Sequence, residues 1–234
     1  MAAETQVLVD NEKKYIAKFF SDASESDVKK VDLSTLSWAK HTITLSGAAS
    51  PNFKIGEVLT VGAEKYLVTG FTAGASTVEV VGWDNTNKKA TAIDASSSNG
   101  DAVSGGVSGN NTRTYSSIAE QDFNVLVTKI MWICNGLQVG IEWDGSGSEA
   151  YIAELIANGI WSMPAMEWPG IGINASGDSG DVLGDIQFST TGHASGDSYT
   201  VIMELKKQSG YDIPAYEQNN ILGYPVDYLL GNFT

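Results

Sequence analysis

The sequence predicts an all-β protein: an antiparallel, jelly-roll-like β-sandwich that carries an inserted small β-barrel module and an extended C-terminal arm. Three observations lead there. The 25 glycines of the 234 residues sit among Ser, Thr, Asn and Asp clusters with short apolar stretches between them, which is the punctuation of a β protein. Several of those stretches alternate polar and apolar residues, the period of a half-buried strand. Within residues 41–112 the stretches recur at about 8–12 residues, as in a small barrel. A hydrophobic share of 42% with 18% charged residues fits a globular chain long enough to bury a core, and not a disordered one.

Taken in order, Lys14 to Phe20 reads as a first strand and Val28 to Leu33 as a second, with a turn at Asp22 to Asp27. His41 to Leu45, Glu57 to Val61, Lys65 to Thr69, Thr77 to Trp83 and Lys89 to Asp94 are the five strands of the inserted module. The Ser, Gly and Asn-rich stretch from Ser96 to Thr112 reads as its flexible exit linker. The predicted host is therefore residues 1–40 and 113–207, the module 41–112 and the arm 208–234. Phe123 to Ile133 is a long β-branched and aromatic run, and Leu137 to Trp143 returns after Asn135-Gly136, the strongest short-range hairpin signal. Tyr151 to Ile160 fits a short helix or a strand, and a strand is preferred. Ile186 to Thr190 and Tyr199 to Leu205 read as a further pair joined by turn residues.

The arm changes character. It holds Pro214 and Pro225, three acidic residues and no basic one, with Tyr211, Tyr216, Tyr224, Tyr228 and Phe233. Proline restricts regular structure while aromatic rings favour burial, so an extended arm on its own body or on a neighbouring subunit satisfies both. Tyr211, Pro214, Tyr216, Tyr224, Tyr228 and Phe233, together with Trp161 and Trp168 beside Met163 and Met166, are the expected interface residues, because interfaces enrich aromatics and Met.

Composition excludes several functions. With 14 Lys plus Arg against 28 Asp plus Glu, the formal charge is −14. Between Lys129 and Lys206 there are ten carboxylates and no Lys or Arg, so the phosphate neutralisation on which nucleic-acid affinity rests has no source there. No apolar run approaches the roughly 18–20 residues of a membrane helix, and Met1 to Asp10 has no secretory pattern, so a soluble product made in a cytoplasm is expected. The lone Cys134 excludes an intramolecular disulfide and reads as a small core residue.

Catalysis finds little support. Gly177-Asp178-Ser179-Gly180 is the nucleophile motif of chymotrypsin-like proteases, and His41, Asp94 or Asp101, and Ser179 fall in that family's chain order. The flanking residues do not fit, since Asp181 follows where Gly-Pro is expected, and Ser-Gly-Asp-Ser recurs at 195–198 as turn composition. Asp144 to Glu149 and Asn174 to Asp185 crowd carboxylates into Gly-rich loops, as calcium sites do, but the EF-hand spacing is missing and plain turns read the same way. One Cys and two distant His do not make a zinc site. Six tryptophans also allow a sugar-stacking platform, with Trp161 and Trp168 its candidates and Trp143 a core residue. No phosphate loop or dinucleotide fingerprint is present. The expectation is a binding protein with no enzyme activity, no cofactor and no metal.

Three blocks carry a resemblance. They are Lys13-Lys14-Tyr15-Ile16-Ala17-Lys18-Phe19-Phe20-Ser21-Asp22 leading to Val28-Lys29-Lys30-Val31-Asp32-Leu33-Ser34; Thr128-Lys129-Ile130-Met131-Trp132 followed by Val139-Gly140-Ile141-Glu142-Trp143-Asp144; and Gly184 to Thr200, ending in Met203-Glu204-Leu205-Lys206-Lys207. In this order they resemble a group of tailed-bacteriophage virion structural proteins over about half the chain, residues 13–34 and 123–207. The module and the arm depart from that family's compact pattern. The resemblance implies a non-enzymatic particle component, located in a virion assembled in the host cytoplasm. Among such components a head decoration (cement) protein fits best, because an exterior clamp needs no DNA contact and net negative charge keeps a decorated particle soluble. Its expected partners are the major capsid protein or other virion proteins and further copies of itself, with no nucleic acid and no membrane. A neck or tail component is the nearest alternative, and a glycan-binding surface protein is the alternative from another class.

Overall fold

The computed structural model describes residues 3–46, 53–72, 74–93, 97–105, 113–120, 123–144, 150–163, 170–172 and 185–211. These residues form three antiparallel sheets and no α-helix, so the all-β expectation holds. The chain divides into two compact units, Met1–Leu36 with Asp122–Gly210, and Ser37–Gln121 with Tyr211–Thr234.

The first unit contains β1 (Glu4–Asp10), β2 (Lys14–Ser21), β3 (Val28–Val31), β11 (Val125–Asn135), β12 (Gln138–Trp143), β13 (Ala150–Leu155), β14 (Asn158–Ser162), β15 (Ile171–Gly172), β16 (Ile186–Thr191) and β17 (Ser198–Lys207). One sheet runs β1-β2-β17-β11-β14, with β15 also on β11, and the other runs β13-β12-β16-β3. Strict alternation builds the first sheet's inner face: Tyr15, Ala17 and Phe19 of β2, and Tyr199, Val201, Met203 and Leu205 of β17, are all buried. Phe188 of β16 meets both Phe19, at a centroid distance of 5.2 Å, and Tyr199, at 6.0 Å. Rings from the two sheets therefore share one core.

The hairpin expected across Asn135-Gly136 does not form. β11 pairs with β17 and β14, whereas β12 pairs with β13 and β16, so Gly136 turns the chain from one sheet into the other. Its φ of 81° is one that glycine adopts freely. The same holds for the expected β16 and β17 pair, which lie in different sheets. Tyr151 to Ile160 is two strands, β13 and β14, also in different sheets and separated by Ala157 at a φ of 56°.

The second unit contains β4 (His41–Leu45), β5 (Val58–Val61), β6 (Glu64–Phe71), β7 (Thr77–Asp84), β8 (Lys89–Thr91), β9 (Val103–Gly105) and β10 (Tyr115–Glu120). All five strands read from residues 41–94 are present. Two more join them, β9 from the stretch expected to be a linker and β10 from beyond residue 112, so this unit is wider than the module read from sequence. The sheet order is β10-β4-β7-β6-β5-β9, with β8 on β7. Among the described residues it is no closed barrel, and this corrects the expectation: β9 and β10 share no ladder, and the segments leading into them meet at the isolated bridge Ala102↔Thr114. One face buries Ile43, Leu59, Val61, Tyr66, Val78 and Val80, and a smaller cluster gathers Trp38, Val81 and Ala90.

Candidate interaction surface

The outer face of the six-stranded sheet is set by the residues that alternate with its core. Register aligns Gln6, Lys18, Ile202, Met131 and Ile160 in one row across β1, β2, β17, β11 and β14. The next row aligns Glu4, Phe20, Thr200, Ile133 and Asn158, and the row on the other side brings Ile16, Glu204, Lys129 and Ser162 together. Met131, Ile133 and Ile160 remain 38%, 63% and 61% exposed, on neighbouring strands. Exposed apolar residues scattered singly are ordinary, but adjacent ones in register make this face a candidate contact surface. Its charge is also unlike the rest of the chain: Lys14, Lys18, Lys129 and Lys206 face out here against Glu4 and Glu204.

This face was not singled out from the sequence. The run from Ile130 to Ile133 is apolar on both sides of the strand, and that was the available signal. A strand with one buried and one exposed side has no need of Met131 and Ile133.

Of the expected interface residues, Trp161 lies on β14 opposite Ile130 and is half-buried. Nearby, Trp132 occupies the space a side chain at Gly159 would need, and its Nε1 donates to the Ile156 carbonyl at 3.1 Å. Tyr211 is buried in the second unit and its backbone bridges Ala39. Pro214, Tyr216, Tyr224, Tyr228, Phe233 and Trp168 lie outside the described residues, as do Asp94, Ser179 and the loop around it. His41 is buried on β4, with Nδ1 3.2 Å from the Ala39 carbonyl, and the Asp101 carboxylate accepts from the Ser98 amide.

Of the two carboxylate-rich loops, the described end residues Asp144 and Asp185 meet, and residues 145–149 and 174–184 lie outside the described residues. The Asp144 amide donates to the Asp185 carbonyl, and Lys29 Nζ lies 2.6 Å from the Asp185 carboxylate and 3.9 Å from that of Asp144. The Leu33 amide also donates to Asp185. Burial pushes the Asp185 carboxyl up, against the pull of Lys29 and the Leu33 amide, while the bond to Asp185 pulls the Lys29 ammonium up. A lysine ammonium stands where the carboxylates meet, and among the described residues no three His, Cys, Asp or Glu gather to hold a metal ion.

A second polar cluster links the two sheets of the first unit. Lys30 of β3 pairs with Glu25 at 2.7 Å, and the Tyr199 hydroxyl of β17 donates to the other Glu25 oxygen at 2.7 Å. Thr190 of β16 fixes the Glu25 backbone from its side. Burial first, then Glu25, pushes the Tyr199 phenol far above its ordinary range. Where the sheets exchange strands, Cys134, Gly136, Leu137, Ile156 and Thr191 line a shallow depression of about 430 Å³. Burial pushes the Cys134 thiol up, away from the reactive thiolate.

No family model matches the chain, and no curated protein matches it. A solved structure described as manganese lipoxygenase of Gaeumannomyces graminis with part of zonadhesin of Komagataella pastoris aligns over 90% of this chain and 84% of that chain. The identity is 11% and the TM-score 0.12, a likeness that carries no information on fold or function.

Proposed function

We propose that this protein is a non-enzymatic structural component of a tailed-bacteriophage virion that decorates and cements the outer capsid surface through contacts between subunits. The observation that carries this reading is the strand order of the first unit. Setting aside β1 and β15, its eight strands in chain order are β2, β3, β11, β12, β13, β14, β16 and β17. One sheet holds the first, eighth, third and sixth, and the other holds the second, seventh, fourth and fifth. That is the order of a jelly-roll sandwich, an architecture that recurs in viral capsid proteins and in lectins.

Architecture alone does not define function. The outer face of the six-stranded sheet adds an exposed apolar surface suited to protein contact, and the resemblance of residues 13–34 and 123–207 to virion proteins points the same way. The acidic remainder of the chain argues against a DNA-facing position. A glycan-binding role draws on the same architecture and on the half-buried Trp161 beside Trp132.

Mixing the purified chain with undecorated phage heads and counting copies bound per particle tests the proposal. Saturable binding at a multiple set by the capsid lattice is expected. A folded chain that does not bind heads overturns the decorating role and directs the search to necks and tails, then to glycans.

A further inference from the structure

We infer that the outer face of the six-stranded sheet receives residues 212–234 of a second copy of this chain. The inference rests on the assembly reading above and names the contact by which copies join.

The face is complementary to that segment in both chemistry and charge. Met131, Ile133, Ile160 and Ile202 lie side by side on three neighbouring strands, and three of the four are among the most exposed large apolar residues described. The flanking charges are basic: four lysines, Lys18 and Lys129 among them, face out against two glutamates, in a chain that has twice as many acidic as basic residues. Residues 212–234 supply the converse. They hold three carboxylates and no basic residue, with three tyrosines, one phenylalanine and six Ile, Leu or Val. Apolar side chains would cover the isoleucines while Asp212, Glu217 and Asp227 meet lysines.

Reach is sufficient. At about 3.3 Å per residue, a 23-residue extended segment spans on the order of 75 Å. Five strands at about 4.8 Å spacing are only about 20 Å across, so the segment can leave one molecule and still cross the face of another. A segment on one copy and a receiving face on the next make a head-to-tail contact, which closes into a ring or continues from copy to copy according to its rotation. That property suits a surface layer.

The test is sedimentation of the full chain over a range of concentrations, with and without a synthetic peptide of residues 212–234, and in low and high salt. The average mass should rise with concentration and fall when peptide is added in excess or salt is raised. The double substitution Ile133→Lys, Ile160→Lys should weaken association at least about tenfold, a difference of about 1.4 kcal/mol, and leave the thermal melt unchanged because both side chains are already exposed. If that variant fails to fold, Lys18→Glu with Lys129→Glu should weaken association in the same direction.

A chain that stays single at every concentration overturns the inference, whether the face is then covered from within or by a different protein. So does peptide without effect, or association that the face substitutions leave intact. The two readings separate cleanly. Self-association of the wild type that is lost in the face variant supports the inference whether or not heads are bound, whereas self-association without any head binding removes the capsid role and leaves the contact standing.

Discussion

Glu25 shows how one side chain can bind three parts of the fold. It sits in the connection between β2 and β3, yet its carboxylate takes Lys30 from one sheet and Tyr199 from the other, with both partners near 2.7 Å. The Lys30 and Glu25 side chains are almost wholly buried, at 5% and 4% exposure. Removing the carboxylate leaves a buried ammonium without compensation, which costs about 3–5 kcal/mol. Glu25→Ala should therefore lower the urea midpoint sharply. Tyr199→Phe, which deletes one hydrogen bond and keeps the ion pair, should cost only about 1 kcal/mol. Equal losses from the two changes would show that the tyrosine, and not the ion pair, dominates the cluster. None of this was legible beforehand: Glu25 lies in what reads as a polar turn, and Tyr199 is 174 residues away in sequence. Lys29 and Asp185 carry the same lesson, since the crowding of carboxylates was readable but the lysine that answers them was not.

Strands were easier to read than their partners. Alternation located β2, β3, β4, β7, β11, β12, β16 and β17 within a few residues, because burying one face imposes a period of two. Pairing failed at Asn135-Gly136 and again between β16 and β17. A glycine with positive φ serves a tight hairpin and a sheet-to-sheet corner equally well, and the local sequence has no information on which partner lies alongside. Of the connections between successive strands in the eight-strand set, only β12 to β13 joins strands that pair with each other. At the Gly136 corner a Cβ would run into the Asp197 carboxylate, and the backbone is left-handed besides. Gly136→Ala should therefore cost about 1 kcal/mol or more, measured as a shift in the denaturant midpoint with an unchanged slope. A neutral result would mean that the corner relaxes into a conformation open to any residue. The exposed apolar face was hidden for a different reason. Sequence marks Met131 and Ile133 as apolar, and only the register with Ile160 and Ile202 shows that they share an exposed side.

At the scale of the whole chain, two units with separate cores are threaded on one polypeptide, the second running from Ser37 to Gln121 and taking up the chain again at Tyr211, which bridges Ala39. Its sheet buries an apolar cluster built from its own residues, including Ile43, Leu59, Tyr66 and Val80. Residues 37–121 expressed alone should accordingly give a cooperative melt and dispersed amide resonances. A molten spectrum would show that this core needs the rest of the chain.

The position of β17 has a consequence for how the protein is made. It lies between β2 and β11, so the earliest strand of the eight and the third have no common neighbour until β17 itself is made. At about 5–20 residues per second, the ribosome needs on the order of ten seconds or more to travel from β3 to β17. Once β10 is made the second unit has all its strands and can complete its sheet, while Ile16, Phe19 and Phe20 of β2 still wait for β17, the strand that pairs beside them. Vectorial synthesis thus lets the inserted sheet form before the surrounding one, whose β2 has only β1 beside it until β17 is made.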